Sequence, residues 1–253
     1  MSKIKLKTVV DFKVVSYPPA GNDVFECVNN KNNKHFIIKS ERGEFANFKN
    51  EIEILNKLQG KIKVPKVIEY GECNNKTYIV LSLVEGRKLS DILKSDRNIN
   101  KSEYIYKYGV ELARIHSLKI KCDVAKLRSI NDIPLEEKYS SLNDEWVNKV
   151  INYLAKNRPN VTYTTFIHGD FHYGNILFDK SEISGVLDWE YSGMGSKEQD
   201  IAWALILRPN QKFMITKKDR ELFLKGYKSI SNYEEDKLKW CYINGMMHFY
   251  LMN

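Results

Sequence analysis

Apolar and polar residues change rhythm several times along this chain. Through the first eighty-odd positions, β-branched and aromatic residues gather in short runs: Thr8 to Tyr17, Val24 to Val28 and His35 to Lys39. The breaks are Pro18-Pro19-Ala20-Gly21-Asn22 and the Asn/Lys-rich stretch Asn29 to Lys34. Such runs, punctuated by turn residues, predict strands joined by hairpins. From Phe45 to Leu58 the period becomes helical. At about 100° per residue, Phe48, Ile52, Leu55 and Leu58 form one apolar arc, with Glu51 inside it and Glu53 on the opposite polar face. A further strand-like run, Tyr78 to Val84, leads into Glu85-Gly86.

Beyond Glu85 the pattern is mainly helical. Tyr104 to Leu118 and Asp144 to Lys156 carry apolar residues at helical spacing, and Lys217 to Asn253 predicts two more helices with Phe223, Tyr227, Trp240, Tyr242 and Tyr250 available for packing; Phe249, next to Tyr250, cannot share its face. Between them lies a tight hairpin pattern: apolar Ile176-Leu177-Phe178, polar Asp179 to Glu182, then Ile183 to Leu187.

Composition narrows the class. A chain of 253 residues, 43% hydrophobic and 28% charged, can bury a core as one large domain or two lobes. Its 40 basic residues against 32 acidic give a formal charge of +8. The lysines are scattered rather than striped with aromatics, which argues against a nucleic-acid surface. No apolar run is long enough to span a bilayer, and the N-terminal lysines precede no signal-peptide core. Cys27, Cys73, Cys122 and Cys241 are far apart with no C-x-x-C pair, so neither a zinc site nor a disulfide framework is indicated and a reducing cytoplasm is expected.

The chemistry gathers in His168-Gly169-Asp170-Phe171-His172-Tyr173-Gly174-Asn175 and Leu187-Asp188-Trp189-Glu190. Asp170 and Asn175 have the spacing of the Asp and Asn in the kinase catalytic loop H-R-D-x-x-x-x-N. Asp170 would accept a hydrogen bond from an acceptor hydroxyl and aim it; Asn175 would offer a neutral oxygen to Mg²⁺. The hairpin would carry Asp188 back as a second metal ligand, an oxygen set that suits this hard cation. Lys39 ends the apolar run Phe36-Ile37-Ile38 in a pattern close to V-A-I-K, whose lysine meets nucleotide phosphates and a helix Glu. A carboxylate in a buried stripe costs several kcal/mol without a cation, so Glu51 rather than Glu53 is the expected partner.

These motifs resemble those of the aminoglycoside phosphotransferase and choline kinase-like family, distant relatives of protein kinases. Gly169 stands where protein kinases have Arg, Trp189 where they have the Phe of DFG, and Gly193 to Trp203 fits the family's continuation. The resemblance implies an α+β, two-lobed protein kinase-like fold. A small N-terminal lobe, 1–84, would hold an antiparallel sheet and one helix and bind nucleotide; a larger, mostly helical lobe, 85–253, would carry catalysis and the acceptor.

By the same resemblance, backbone at Ala20, Gly21 and Asn22 would cover phosphates, and main-chain groups near Ser82 and Val84 would hold a purine edge. His116 would pack, His168 would prop the loop, and His172 would either brace it or approach the phosphates. Asp200 reads as a helix N-cap that also steadies the loop. Asp144 and Glu145 could face a cationic substrate or form a solvated first turn. The implied activity is Mg²⁺-dependent transfer of the γ-phosphate of ATP or GTP to a hydroxyl of a small molecule, an aminoglycoside or related antibiotic, by a monomer. A charge of +8 sits poorly with a polycationic acceptor, so two alternatives stay open: a metabolic kinase of choline, thiamine or a sugar-like compound, and a non-catalytic nucleotide-binding protein.

Overall fold

The computed structural model describes residues 6–8, 11–18, 22–42, 46–95, 99–125, 144–160 and 162–252, the last five by their backbone. In chain order the elements are β1 (Phe12–Ser16), β2 (Asp23–Asn29), β3 (His35–Ser40), α1 (Phe48–Leu58), β4 (Val67–Cys73), β5 (Lys76–Ser82), β6 (Arg87–Lys88), α2 (Leu89–Lys94) and α3 (Lys101–His116). There follow α4 (Glu145–Lys156), β7 (Thr165–Ile167), β8 (Ile176–Asp179), β9 (Glu182–Val186), β10 (Gly193–Gly195), α5 (Lys197–Leu205), α6 (Lys217–Lys228) and α7 (Glu235–Met252). The class is α+β. Two compact units result, Met1–Arg87 with Ile176–Glu190, and Lys88–Asn175 with Tyr191–Asn253.

The first unit is built on an antiparallel sheet in the order β1-β2-β3-β5-β4. Alternation puts Phe36 and Ile38 of β3 on the face that buries Leu6, Cys27, Tyr78 and Val80. Lys39, one residue on, points to the other face. The Asn-rich stretch closes the β2–β3 hairpin, with Asn33 in the left-handed region at φ 55° and the Asn29 N–H donating to the Lys34 carbonyl at 2.9 Å.

Helix α1 starts at Phe48; the expected start, Phe45, lies outside the described residues. Asn47 sets this boundary, because its side chain accepts from the Asn50 N–H at 3.4 Å and acts as the N-cap. The β8–β9 hairpin belongs to the first unit although it directly follows His168–Asn175, which belongs to the second. Its Val186 N–H donates to the Lys63 carbonyl at 2.9 Å, and Lys63 Nζ donates to the Ile183 carbonyl at 3.0 Å.

In the second unit α3 packs along α6. The approach is close enough that a Cβ on Gly109 would lie 2.0 Å from the Phe223 carbonyl oxygen. From this pair Tyr108 stacks on Phe171 at 4.9 Å and leans on Phe223, so the helices support the segment after β7. A satellite core joins Val147, Ile151 and Leu154 of α4 to Met247 of α7. Asp144 is the N-cap of α4, accepting from the N–H groups of Trp146 at 2.9 Å and Val147 at 3.2 Å. That role accounts for its carboxylate without a substrate. Phe223 and Tyr227 are fully buried, while the side chains of Phe249 and Tyr250 lie outside the described residues.

All four cysteines are free thiols. No helix among the described residues is long and apolar enough to cross a membrane.

Candidate active site

Strand β3 delivers Lys39 and helix α1 delivers Glu51 to one buried point. Lys39 Nζ donates to Glu51 Oε2 at 2.6 Å and to Asp188 Oδ1 at 2.9 Å. Lys39 is 7% exposed and Glu51 1%. The Phe48 ring, 5.0 Å from Nζ, closes one side. Glu53, on the outer face of α1, pairs with Lys57 instead. Asp188 follows β9 with φ 67°, a left-handed conformation that costs a residue with a Cβ roughly 1–2 kcal/mol and that Asp adopts more readily than most.

Glu190 completes this cluster. Its carboxylate accepts from Asn22 Nδ2 at 3.3 Å on either oxygen and from the Asn47 N–H at 3.3 Å, while its carbonyl accepts from Asn50 Nδ2 at 3.1 Å. Asn22 is thus tied to the cluster; Ala20 and Gly21 lie outside the described residues. Ser82 ends β5, its N–H donating to the Lys66 carbonyl and its Oγ accepting from the Lys66 N–H, both at 2.9 Å. Val84 lies just beyond, packed so closely on Gly185 that a Cβ there would come within 2.6 Å of its Cγ1.

Two carboxylates therefore bond to one ammonium, and a third, Glu190, stands within reach of its charge. Burial alone would lower the Lys39 pKa, but the charges of Asp188 and Glu51 outweigh it and hold the group well above the ordinary lysine value. Burial pushes the Glu51 carboxyl up; Lys39 opposes this, and the charges of Asp188 and Glu190 add to it. Burial and then the Asp188 charge push Glu190 up as well. The two directions agree physically, because one cation cannot neutralise three anions. Asp188, a third exposed at its side chain, is the most accessible member.

In the second unit β7 runs into the loop His168–Asn175. Asp170 is 1% exposed, and its Oδ1 accepts from the Trp203 indole Nε1 at 2.7 Å. Its main-chain carbonyl accepts from Asn175 Nδ2 at 3.1 Å. That bond turns the amide so that its oxygen is the end presented elsewhere. His168 Nδ1 accepts from the Asp170 N–H at 3.2 Å, and the His168 carbonyl accepts from Ser192 Oγ at 2.8 Å. His172 Nδ1 accepts from the Gly174 N–H at 3.0 Å, and its Nε2 stands 3.8 Å from Asp170 Oδ2. Both imidazoles brace the loop from within. Gly169 has φ 79°, and a Cβ there would lie 2.2 Å from the Tyr191 carbonyl oxygen.

Asp200 is not the N-cap expected of it. Ser196 holds that position, and Asp200 lies within the first turn of α5. Its carboxylate is drawn to the loop instead, accepting from the N–H groups of His168 at 2.8 Å and Gly169 at 3.1 Å. His116 Nε2 stands 3.1 Å away, with its Nδ1 2.8 Å from Tyr227 Oη. Burial would raise the Asp200 pKa, but the His116 contact and these donors hold it below the usual carboxylate value. Trp203, three residues on, shares its helix face.

Comparison with known proteins decides the class. Residues 14–240 match the model of the phosphotransferase enzyme family. The chain belongs to that family. An aminoglycoside 3'-phosphotransferase of Niallia circulans is 25% identical over 206 residues, covering 75% of this chain and 74% of that protein. Among solved structures, an aminoglycoside-3'-phosphotransferase of type VIII superposes with a TM-score of 0.66 at 19% identity, covering 94% of this chain and 93% of that one. A thermostable mutant of the aminoglycoside phosphotransferase APH(4)-Ia, in ternary complex with AMP-PNP and hygromycin B, superposes with a TM-score of 0.62 at 15% identity over 96% and 95% of the two chains. At those identities the structural likeness speaks for the kinase-like fold alone.

Within this phosphotransferase, the residues suit a magnesium–nucleotide complex. In the first unit the carboxylate excess around Lys39 and the accessible Asp188 are oxygen donors of the kind a hard cation takes before completing its shell with phosphates and water; in the second, the Asn175 amide is anchored by its nitrogen. Among the described residues no three or more His, Cys, Asp or Glu side chains form a metal cage, and such a cation needs none. Sequence reasoning passed over the roles of Glu190 and Trp203. Glu190 sits inside the Asp-Trp-Glu motif, and Trp203 follows Asp200 at helical spacing, so both signals were present.

Proposed function

We propose that this phosphotransferase moves the γ-phosphate of Mg·ATP to a hydroxyl of a small molecule, with an aminoglycoside as the leading acceptor. The cluster of Lys39 with Glu51, Asp188 and Glu190 carries the reading: three carboxylates gathered near one lysine is an arrangement that calls for a bound cation and phosphate. Phosphoryl transfer asks the protein for positioning and charge neutralisation more than covalent work. Asp170 aims the acceptor hydroxyl and takes its proton. The acceptor oxygen bonds to the γ-phosphorus, the bond from that phosphorus to the bridging oxygen breaks, and the nucleoside diphosphate leaves. Lys39 binds phosphate oxygens, Glu51 fixes Lys39, and Asp188 and Asn175 would hold Mg²⁺, which neutralises phosphate charge when bound. Backbone at Ala20, Gly21 and Asn22 would cover the phosphates, and main-chain groups near Ser82 and Val84 would receive the purine.

Support for ATP comes from the AMP-PNP bound by the APH(4)-Ia relative, and support for the acceptor from the 3'-phosphotransferase that shares 25% identity over most of both chains. We place the enzyme in the cytoplasm, as a monomer, where ATP is abundant and its four thiols stay reduced.

A second reading has its own observation. Arg208 stands 5.2 Å from the Tyr173 ring of the catalytic loop, and the chain carries +8. A cation beside the loop disfavours a polycationic acceptor and favours a neutral or anionic one, as in a metabolic kinase. The deciding experiment is Mg²⁺-dependent consumption of ATP and GTP against aminoglycosides, choline, thiamine and sugars, with Asp170→Ala as control. Stimulation by an aminoglycoside, lost in the variant, supports the leading reading. Stimulation by another class alone moves the enzyme to the second, and consumption unaffected by Asp170→Ala overturns both.

A further inference from the structure

We infer that Trp203 is a positioning residue for the Asp170 carboxylate, and that Arg208 holds Trp203 to that task. The inference rests on the catalytic role proposed for Asp170. It begins from the 2.7 Å bond between the indole Nε1 and Asp170 Oδ1, in which both side chains are buried. A large aromatic ring at the end of an amphipathic turn usually needs only apolar neighbours. Here its single polar atom is spent on the carboxylate.

Indole suits this purpose chemically. It donates and cannot accept, so it never competes with Asp170 for the acceptor's proton. Its donor is fixed in the plane of a ring that α5 holds, so the bond sets the carboxylate's rotation and engages Oδ1. The acceptor's proton then goes to Oδ2, the oxygen 3.8 Å from His172 Nε2. A freely rotating carboxylate would have to be oriented at each turnover, and aligned groups account for much of an enzyme's rate advantage.

Arg208 fixes the ring in turn. Its guanidinium carbon lies 5.0 Å from the Trp203 ring and 5.2 Å from the Tyr173 ring, within the range of cation–π attraction. Nη2 donates to the Trp203 carbonyl at 3.4 Å and Nη1 to the Ile206 carbonyl at 3.3 Å. Tyr173 belongs to the catalytic loop and Trp203 to α5, so one guanidinium fastens the loop to the helix that aims its carboxylate. Tyr173 is itself set by the Phe213 ring at 4.7 Å and by its carbonyl, which accepts from the Ser90 N–H at 3.1 Å.

The test compares wild type with Trp203→Phe, Arg208→Gln, Asp170→Asn and Asp170→Ala, using Mg·ATP hydrolysis with water as acceptor, and records the indole ¹H–¹⁵N NMR signals. Trp203→Phe keeps the ring and loses the donor; kcat should fall about tenfold or more, equal to about 1.4 kcal/mol in the barrier, with KM for Mg·ATP changed less than about twofold. The indole signal absent from Trp203→Phe should move in Asp170→Asn and in Arg208→Gln. Should Trp203→Phe not fold, that signal in the Asp170→Asn and Arg208→Gln proteins decides alone. A folded Trp203→Phe with wild-type kcat beside an inactive Asp170→Ala, or an indole signal indifferent to Asp170→Asn, overturns the inference. Undiminished turnover in Asp170→Ala would instead overturn the role of Asp170 itself, which is a separate result.

Discussion

Lys39 Nζ lies 2.9 Å from Asp188 Oδ1, a contact between residues 149 positions apart that brings the third strand of the sheet to the end of a distant hairpin. With Glu51 at 2.6 Å and Glu190 close enough to raise the Glu51 carboxyl, the lysine is the cation of a three-carboxylate cluster. Removing it leaves buried negative charge uncompensated. Lys39→Ala is expected to lose about 3–5 kcal/mol of stability near neutral pH, measured by urea unfolding. The raised lysine pKa means that its contribution is fully present below the ordinary lysine value and lost only as pH rises through the folded one. In the variant, Glu51 and Glu190 keep raised carboxyl pKa values, so the deficit should shrink as pH is lowered from 7 toward about 5 and they take up protons.

Asp188 and Asp170 should separate cleanly in binding and turnover. Asp188→Ala removes the most accessible carboxylate of the nucleotide cluster and should weaken Mg·ATP binding by tenfold or more, about 1.4 kcal/mol or greater, with a smaller effect on nucleotide measured without Mg²⁺. Asp170→Ala should lower kcat by at least about a hundredfold and leave the Mg·ATP dissociation constant within a factor of about three. Calorimetric titration beside steady-state kinetics checks both, and exchanged phenotypes would sink the two assignments together.

Asp200 links the loop to the helical support beneath it, and its pH signature follows from direction alone. Its folded pKa is lowered, so its stabilisation is complete above the ordinary aspartate value near 3.8 and is lost as pH falls through the lower folded value. Asp200→Asn keeps the shape but gives up the charge that the His168 and Gly169 N–H groups meet, and should cost roughly 2–4 kcal/mol at pH 7. Denaturant melts from pH 7 to 3 should show the gap to wild type holding down to about pH 4 and narrowing below it. A gap independent of pH would mean that packing, rather than charge, accounts for the loss.

Much of this was legible in the sequence, for reasons that can be stated residue by residue. Helical arithmetic separated Glu51 from Glu53 because only one of them shares the apolar arc of α1. The Asp170–Asn175 spacing survives in folding because the Asn175 amide bonds back to the Asp170 carbonyl within the same loop. Strand β4 was not anticipated, since an inward carboxylate breaks its alternation: Glu69 is buried, accepting from the Lys7 and Thr8 N–H groups and from Tyr78 Oη. Asp200 looked like a cap because it precedes an apolar helical run, and only the folded chain brings it two loop N–H groups that outcompete its own helix. Glu190 and Trp203 depend on partners gathered from remote segments, Asn22, Asn47 and Asn50 in one case and Asp170 in the other. Periodicity, a local property, does not register such convergence.

Gly169 offers the most stringent test of the loop's geometry. It has φ 79°, and an added Cβ would sit 2.2 Å from the Tyr191 carbonyl oxygen, a backbone atom that no side-chain rotation can move aside. Gly169→Ala therefore combines a strained left-handed conformation, roughly 1–2 kcal/mol, with a clash that must shift either the loop or the segment at Tyr191. The neighbouring bonds limit which can give. The Gly169 N–H is held by Asp200 Oδ1 at 3.1 Å, and the His168 carbonyl by Ser192 Oγ at 2.8 Å. Displacement of either segment strains this network and swings Asp170, the next residue, off its bond to Trp203. The variant should lose about 2–4 kcal/mol of stability and at least tenfold in kcat, while Mg·ATP affinity, which we assign to Lys39 and Asp188 in the other unit, should stay within about threefold. Thermal unfolding, turnover and nucleotide titration on one preparation measure all three. A stable Gly169→Ala with unchanged turnover would show that the loop tolerates a side chain where the structure leaves no room for one.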